Sequence, residues 1–318
     1  MTKTLSCAAL VVLLGCSQHG ETNDGGLDGP VSDAPSDALS DSGSDVDAAP
    51  VPAECKTTST WGAGTLVSVS TPQADFFGAV TPDELTIAWM TTAGSVLYAD
   101  RTSSASPFGA PQTLSGAIAF DHVTLTADGL TLIVVKDDRY SLAQATRSAR
   151  GSAFGATLDT TPYAELDPLI TEFDAGTAPP HGLFSDPMLS PDGTFLYYSQ
   201  YGLNTLTMLE AYRAKGDTTP WTSGRNLLES QLRAPDTSGK RMHPTGISSD
   251  NLTLFYWDDV ASSEKMAFRD AQFGDNTYNE FIDIGAHQNA APVNECTRIY
   301  FSASGDGGPA DLFFADSN

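Results

Sequence analysis

Basic residues are scarce in this sequence. Sixteen Lys and Arg face 40 Asp and Glu, giving a formal net charge of -24 and a pI near 4.2. A chain this acidic is repelled by phosphates and releases no counterions on approach, which argues against nucleic acid as a partner. Long hydrophobic runs are also missing, and nothing is apolar over enough residues to span a bilayer as a helix of the mature chain. Aromatic residues make up 9%, and there are only four Cys and five His. No G-x-S-x-G elbow, H-E-x-x-H pair or phosphate loop occurs, which removes the commonest signals of nucleophilic, zinc and nucleotide chemistry. Glycine (28) and proline (19) are plentiful in a length of 318 residues, room for one large domain or two ordinary ones.

Residues 1–15 read as a signal peptide. Lys3 precedes a short apolar run that ends at Leu13-Leu14-Gly15-Cys16, too short for a membrane span. These four positions resemble a bacterial lipobox. The resemblance implies that Cys16 becomes the lipidated first residue, with enough acyl chain for stable attachment. Ser17 follows rather than Asp. By the sorting habit of such lipoproteins this implies the outer membrane of a diderm bacterium, with the chain on the periplasmic or the surface face. Residues 16–54 then carry nine acidic residues and no Lys, Arg or aromatic. Such a segment cannot bury enough surface to offset its ordering entropy, so it is expected to be a disordered tether extended by its own charge. Residues 55–318 form the folded domain and keep 31 acids against 15 bases.

Within the domain one unit recurs five times, a tight turn followed by an apolar strand. The copies are VTPDELTIAW (80–89), LTADGLTLIVV (125–135), LSPDGTFLYYS (189–199), ISSDNLTLFYW (247–257) and VNECTRIYFSA (293–303). Asp-Gly and Asp-Asn pairs tolerate left-handed backbone, and the residues that follow are β-branched or aromatic, so each copy reads as a hairpin. A further strand tracks each copy: VLYAD (96–100), SLAQA (141–145), LTMLEAY (206–212), KMAFRD (265–270) and DLFFAD (311–316). A fourth strand follows four of them, at 106–114, 152–159, 219–228 and 276–284. The fifth copy lacks it, and STWGAGTLVSV (59–69) supplies it from the other end of the domain. The expected fold is therefore all-β, a five-bladed β-propeller closed by an N-terminal strand in the last blade. A six-bladed ring is the alternative. The excess residues 159–180 read as a long connection with one helical turn.

The SPDG-type turn and the DLFFA strand resemble the WD40-like (PD40, TolB-type) propeller repeat, over residues 59–318. Two cysteines remain once Cys7 leaves with the signal peptide and Cys16 takes lipid. Cys55 precedes the borrowed strand and Cys296 sits in the last turn, so a disulfide between them would fasten the ring in an oxidising compartment. Closing so long a loop is worth on the order of 4–5 kcal/mol in the chain-entropy model.

Six and seven positions before the turn residues stand Phe76/Phe77, Asp121/His122, Ser185/Asp186, His243/Pro244 and Gln288/Asn289. His181 and His287 lie slightly further upstream. Asp121, His122, Asp186, His243, Gln288 and Asn289 are thus expected to ring one mouth of the channel. His122, His181, His243 and His287 are candidate ligands of a divalent metal, since imidazole and carboxylate suit such ions. No other cofactor is implied. The occupants to be distinguished are a small ligand or metal, a protein or glycan of the envelope, and water alone. Trp61, Trp89, Trp221 and Trp257 are read as core. The expected function is a monomeric, membrane-anchored, non-catalytic binding propeller. The alternative is a glycoside hydrolase that uses Asp121 and Asp186 with a loop acid such as Glu165 or Glu172, because hydrolysis needs two carboxylates facing each other.

Overall fold

A computed structural model describes residues 55–318 apart from 57, 119–121, 137–140, 167–182, 202–205, 223–224, 227–241, 260, 270–277, 279, 286 and 305–309. The signal peptide, Cys16, the tether, Asp121, Glu172 and His181 lie outside the described residues.

Among the described residues nineteen strands fall into five antiparallel sheets, each one blade of a β-propeller. A short strand β1 (Thr65–Leu66) is followed by the first blade, β2 (Asp75–Val80), β3 (Thr86–Thr91), β4 (Ser95–Asp100) and β5 (Gln112–Ile118). The second blade is β6 (Val123–Leu125), β7 (Thr131–Val135) and β8 (Leu142–Thr146), with Asp159 bridged to Gln144 where an outer strand would lie. The third is β9 (Leu183–Leu189), β10 (Phe195–Tyr201), β11 (Leu206–Tyr212) and β12 (Arg225–Asn226). The fourth is β13 (Met242–Ile247), β14 (Thr253–Asp258), β15 (Ser263–Phe268) and β16 (Glu280–Gly285). The fifth is β17 (Gln288–Val293), β18 (Arg298–Ser304) and β19 (Ala310–Asp316), and β1 is its outer strand. The first strand of each blade faces the axis, and β2, β6, β9, β13 and β17 touch one another in a closed circle.

The recurring turns are built by recurring side chains. Asp83, Asp128, Asp192 and Asp250 each accept from the hydroxyl two residues earlier, Thr81 (2.7 Å), Thr126 (2.6 Å), Ser190 (2.7 Å) and Ser248 (2.5 Å). Each also accepts a backbone N–H two residues later, at 2.9–3.1 Å. The hydroxyl oxygen in turn accepts the N–H that opens the next strand, from Thr86, Thr131, Phe195 or Thr253. These bonds fix an Asx-type turn, and the residue after the Asp takes the left-handed region (Glu84, Gly129, Gly193, Asn251).

Strand residues are apolar on both faces because every sheet is sandwiched. Ile87 and Trp89 point to one side, Ala88 and Met90 to the other. Five buried clusters result, one at each seam between neighbouring blades, including the seam between the last blade and the first. Each fully buried Leu, Phe or Tyr there contributes about 1.5–3 kcal/mol by leaving water.

The ring closes where the sequence predicts. Thr65 and Leu66 pair with Phe314 and Phe313, Trp61 bridges Ser317, and Cys55 is bonded to Cys296, 241 residues away. A second fastening was not foreseen. Glu84 is buried in the first-blade turn, and accepts from Arg298 (2.9 Å), Tyr300 (2.7 Å) and Asn294 of the last blade as well as from Arg101 (2.7 Å). The third strands match their expected ranges to within a few residues. The fourth do not: β5 begins at Gln112, six residues later than expected, because Gly109 N–H bonds Asp100 O and the chain joins the sheet only afterwards. The expected helical turn is a single 3-10 turn at Thr161–Tyr163.

Candidate functional site

At the end of the channel opposite the Asp turns, the inner strands are kinked. Their pairing with the second strand slips between Phe77 and Ala79, Ser185 and Met188, Pro244 and Gly246, and Gln288 and Ala291. A bulge adds a residue, bends the strand and re-aims its side chains. Asp186 (φ 49°) and Asn289 (φ 55°) sit on two of these bulges in the left-handed region. Non-glycine residues held there cost about 1 kcal/mol or more and concentrate at functional places. Glycine serves the same kink elsewhere. A Cβ at Gly246 would lie 2.7 Å from Ala291 Cα, so the fourth and fifth inner strands approach there as only glycine allows.

A pocket of about 270 Å³ opens at this mouth, lined by Phe76, Met90, Asp186, His243, Trp257, Asp259, Gln288 and Asn289. Its centre is His243. Nδ1 stands 2.7 Å from Asp186 Oδ2, and Nε2 stands 3.2 Å from Asp259 Oδ2. Both ring nitrogens therefore face carboxylates, which suits an imidazolium donating twice. Burial opposes that charge, but Asp186 and then Asp259 outweigh it and raise the pKa to about 9. Burial also opposes charge on Asp186, but His243 overcomes it. With a hydroxyl bond from Ser185 (2.6 Å), this holds the Asp186 carboxyl below its ordinary range.

No protein-family model and no curated protein matches this chain. Solved structures of similar course include distant ones. TolB from Acinetobacter baumannii is 11% identical with a TM-score of 0.44, over 77% of this chain and 55% of that one. Regucalcin, a calcium-binding protein from Agrobacterium tumefaciens, is 13% identical with a TM-score of 0.42, over 78% and 73%. A gluconolactonase from Xanthomonas campestris is 13% identical with a TM-score of 0.43, over 84% and 97%. At this distance the likeness concerns the fold alone, and the site rests on its own residues.

Those residues are partly the expected ones. Asp186, His243, Gln288 and Asn289 converge in the pocket. His122 is fully buried behind them, near enough to feel the charges of Asp186 and His243. Its ring bonds the Gly78 backbone and its Nε2 has no partner among the described residues. Burial is the largest influence on His122 and lowers its pKa. His287 goes elsewhere. Its Nδ1 bonds Ile284 O at 2.6 Å, its ring meets Phe301 edge-on, and it lines a separate groove with Trp61 and Asp283. Phe77 is packed on Tyr300, whereas Phe76 lines the pocket. Among the described residues no three His, Cys, Asp or Glu side chains stand close enough to hold a metal ion.

Trp257, Asp259 and Met90 were not singled out from the sequence as site residues. Trp257 was read as core, and it instead forms a pocket wall beside His243, its partner across β13 and β14. The signal existed: Met90 and Trp257 both stand seven positions after their turn Asp, so the second strands contribute their own ring. Glu264 was also missed. It is wholly buried, accepts from Thr245 Oγ1 and is bonded by the backbone of Asn289 and Ala290. Burial pushes its pKa well above the ordinary range despite those bonds. It ties the fourth blade to the fifth, directly under the bulge that carries Asn289.

Proposed function

We propose that this chain is an exported, lipid-anchored, non-catalytic binding propeller whose mouth pocket holds a small polar ligand of the cell envelope. The observation that carries the reading is the state of His243. A general base needs a free lone pair, and a general acid needs a proton it can give up near neutral pH. His243 has both nitrogens engaged by carboxylates, and Asp186 is occupied in holding it. What remains around them is a preformed hollow with apolar walls and a few polar groups, the usual make-up of a binding pocket. The Leu13-Leu14-Gly15-Cys16 segment and the acidic tether support display of the domain at a membrane surface, by Cys16 lipid at the outer membrane. Export also accords with the Cys55–Cys296 bond.

A hydrolase remains the second reading, because the mouth region pairs a carboxyl held low, Asp186, with one pushed high, Glu264. Glu264 does not line the pocket, however. Glu165 is exposed near the 3-10 turn.

Two measurements on the full chain test the proposal. Metabolic labelling with palmitate should mark the wild type and not Cys16→Ser, which should appear unanchored; equal labelling would remove the anchor. A panel of aryl glycosides should show no turnover. Turnover abolished by Asp186→Asn would replace the binding reading by the hydrolase.

A further inference from the structure

The pocket's lining specifies a ligand charge. Two carboxylates, Asp186 and Asp259, face one imidazolium, and among the described residues the lining holds no Lys or Arg. The mouth therefore carries one uncompensated negative charge on a domain that is itself acidic. An anion would be repelled by both carboxylates. A neutral sugar could bond the side-chain amides of Gln288 and Asn289, but it would leave the negative charge of the mouth without a counter-charge. A cation, by contrast, meets the outer carboxylate of Asp259, 37% exposed, and the amide oxygens of Gln288 and Asn289.

The rest of the lining is Trp257, Phe76 and Met90. Indole, phenyl and polarisable thioether groups suit an alkylated ammonium, whose charge is spread over an apolar shell. Behind this group, the unpartnered Nε2 of His122 makes the surroundings still richer in acceptors. At about 270 Å³ the hollow is at the small end of ligand sites, which fits a head group rather than a chain.

We propose that the mouth pocket takes a small alkylammonium cation, with Asp259 as its counter-charge and Trp257 as its wall. This rests on the binding role proposed above. The test is calorimetry on the full chain, with tryptophan fluorescence followed in parallel and Trp257→Phe used to assign the signal to the mouth. The probes are choline, tetramethylammonium, glycerophosphocholine, 3,3-dimethylbutan-1-ol (the neutral isostere of choline), glucose and acetate. Choline and tetramethylammonium are expected to bind, the neutral isostere at least about tenfold more weakly, and Asp259→Asn to weaken choline by about tenfold. Tighter binding of glycerophosphocholine than of choline would identify a lipid head group as the source, and the reverse a free cation. Equal binding of the isostere overturns the charge argument. A signal from glucose alone, lost in Trp257→Phe, overturns the cation and leaves the binding role standing. Silence from every probe overturns the cation as well. The binding role falls separately, on glycoside turnover that requires Asp186.

Discussion

Single ionisable groups around the mouth have opposite demands, and pH separates them. His243 titrates near 9 in the folded chain against 6.5 when free. Its charge contributes stability that is fully present below pH 6.5 and is lost as pH rises through 9, about 3 kcal/mol in all. His122 has the reverse sign. Burial keeps it neutral, so its stability is lost as pH falls below 6.5. Urea unfolding from pH 6 to 9.5 should therefore show a falling limb in the wild type and a shallower one in His243→Gln. Glu264 behaves differently again. Above pH 4.5 the unfolded chain releases a proton that the folded chain keeps, so stability falls with rising pH. Glu264→Gln keeps the acceptor for Thr245 and carries no titrating proton. Its stability relative to the wild type should therefore rise with pH above 4.5. A difference between the two that stays constant as pH rises would contradict the raised pKa of Glu264.

Between elements, the seams are fastened by a recurring Arg that follows the third strand: Arg101, Arg147, Arg213 and Arg269. The Nε of three of them bonds a carbonyl of the turn in the same blade, Glu84, Gly129 or Asn251, at 2.5–2.8 Å. All four lie over an aromatic ring, Phe108, Phe154, Trp221 or Tyr278. Three reach into the blade before: Arg101 bonds Tyr300 Oη at 3.3 Å, Arg147 holds Asp100 with two bonds of 2.6 and 2.8 Å, and Arg269 holds Glu210 at 3.0 Å. Removing one partner leaves a partly or wholly buried charge, so Arg147→Met should cost about 3–5 kcal/mol, read as a lower urea midpoint. A loss under about 1 kcal/mol would contradict the role assigned to the seam. The turn and the strand after it were legible because each is local, fixed by neighbours along the chain. Counting back from the turn also found Asp186, His243, Gln288 and Asn289 together, because antiparallel pairing preserves register. His287 escaped that count. It stands in the connection between β16 and β17, where Gly285 (φ 86°) and the bond to Ile284 turn it to the outer groove. Trp257 was missed because a strand position is read as core or mouth only once its depth along the axis is known, and Asp259 because it stands in the turn just past β14. Glu84 and Glu264 were missed because several of their partners come from another blade.

For the whole molecule, the ring is an array whose two ends must meet. Without closure, β1 and β19 would both present open edges. The Cys55–Cys296 bond restricts the unfolded chain over 241 residues, for which removal costs on the order of 2–5 kcal/mol. The Cys55→Ser, Cys296→Ser pair should lose that much and keep the mouth intact, since Glu84 and the β1 pairing still close the wheel. Unchanged thermal unfolding on reduction would show that the bond does not bear on closure.

The central claim is that the mouth binds without acting as an acid or base, and it turns on both nitrogens of His243 being protonated. Nitrogen-15 NMR of the imidazole in the full chain, followed from pH 6 to 10, measures this directly. The account predicts two protonated ring nitrogens at pH 7.5 and a midpoint near 9. A neutral ring at pH 7.5, with one nitrogen free, would leave a working base in the pocket and contradict it.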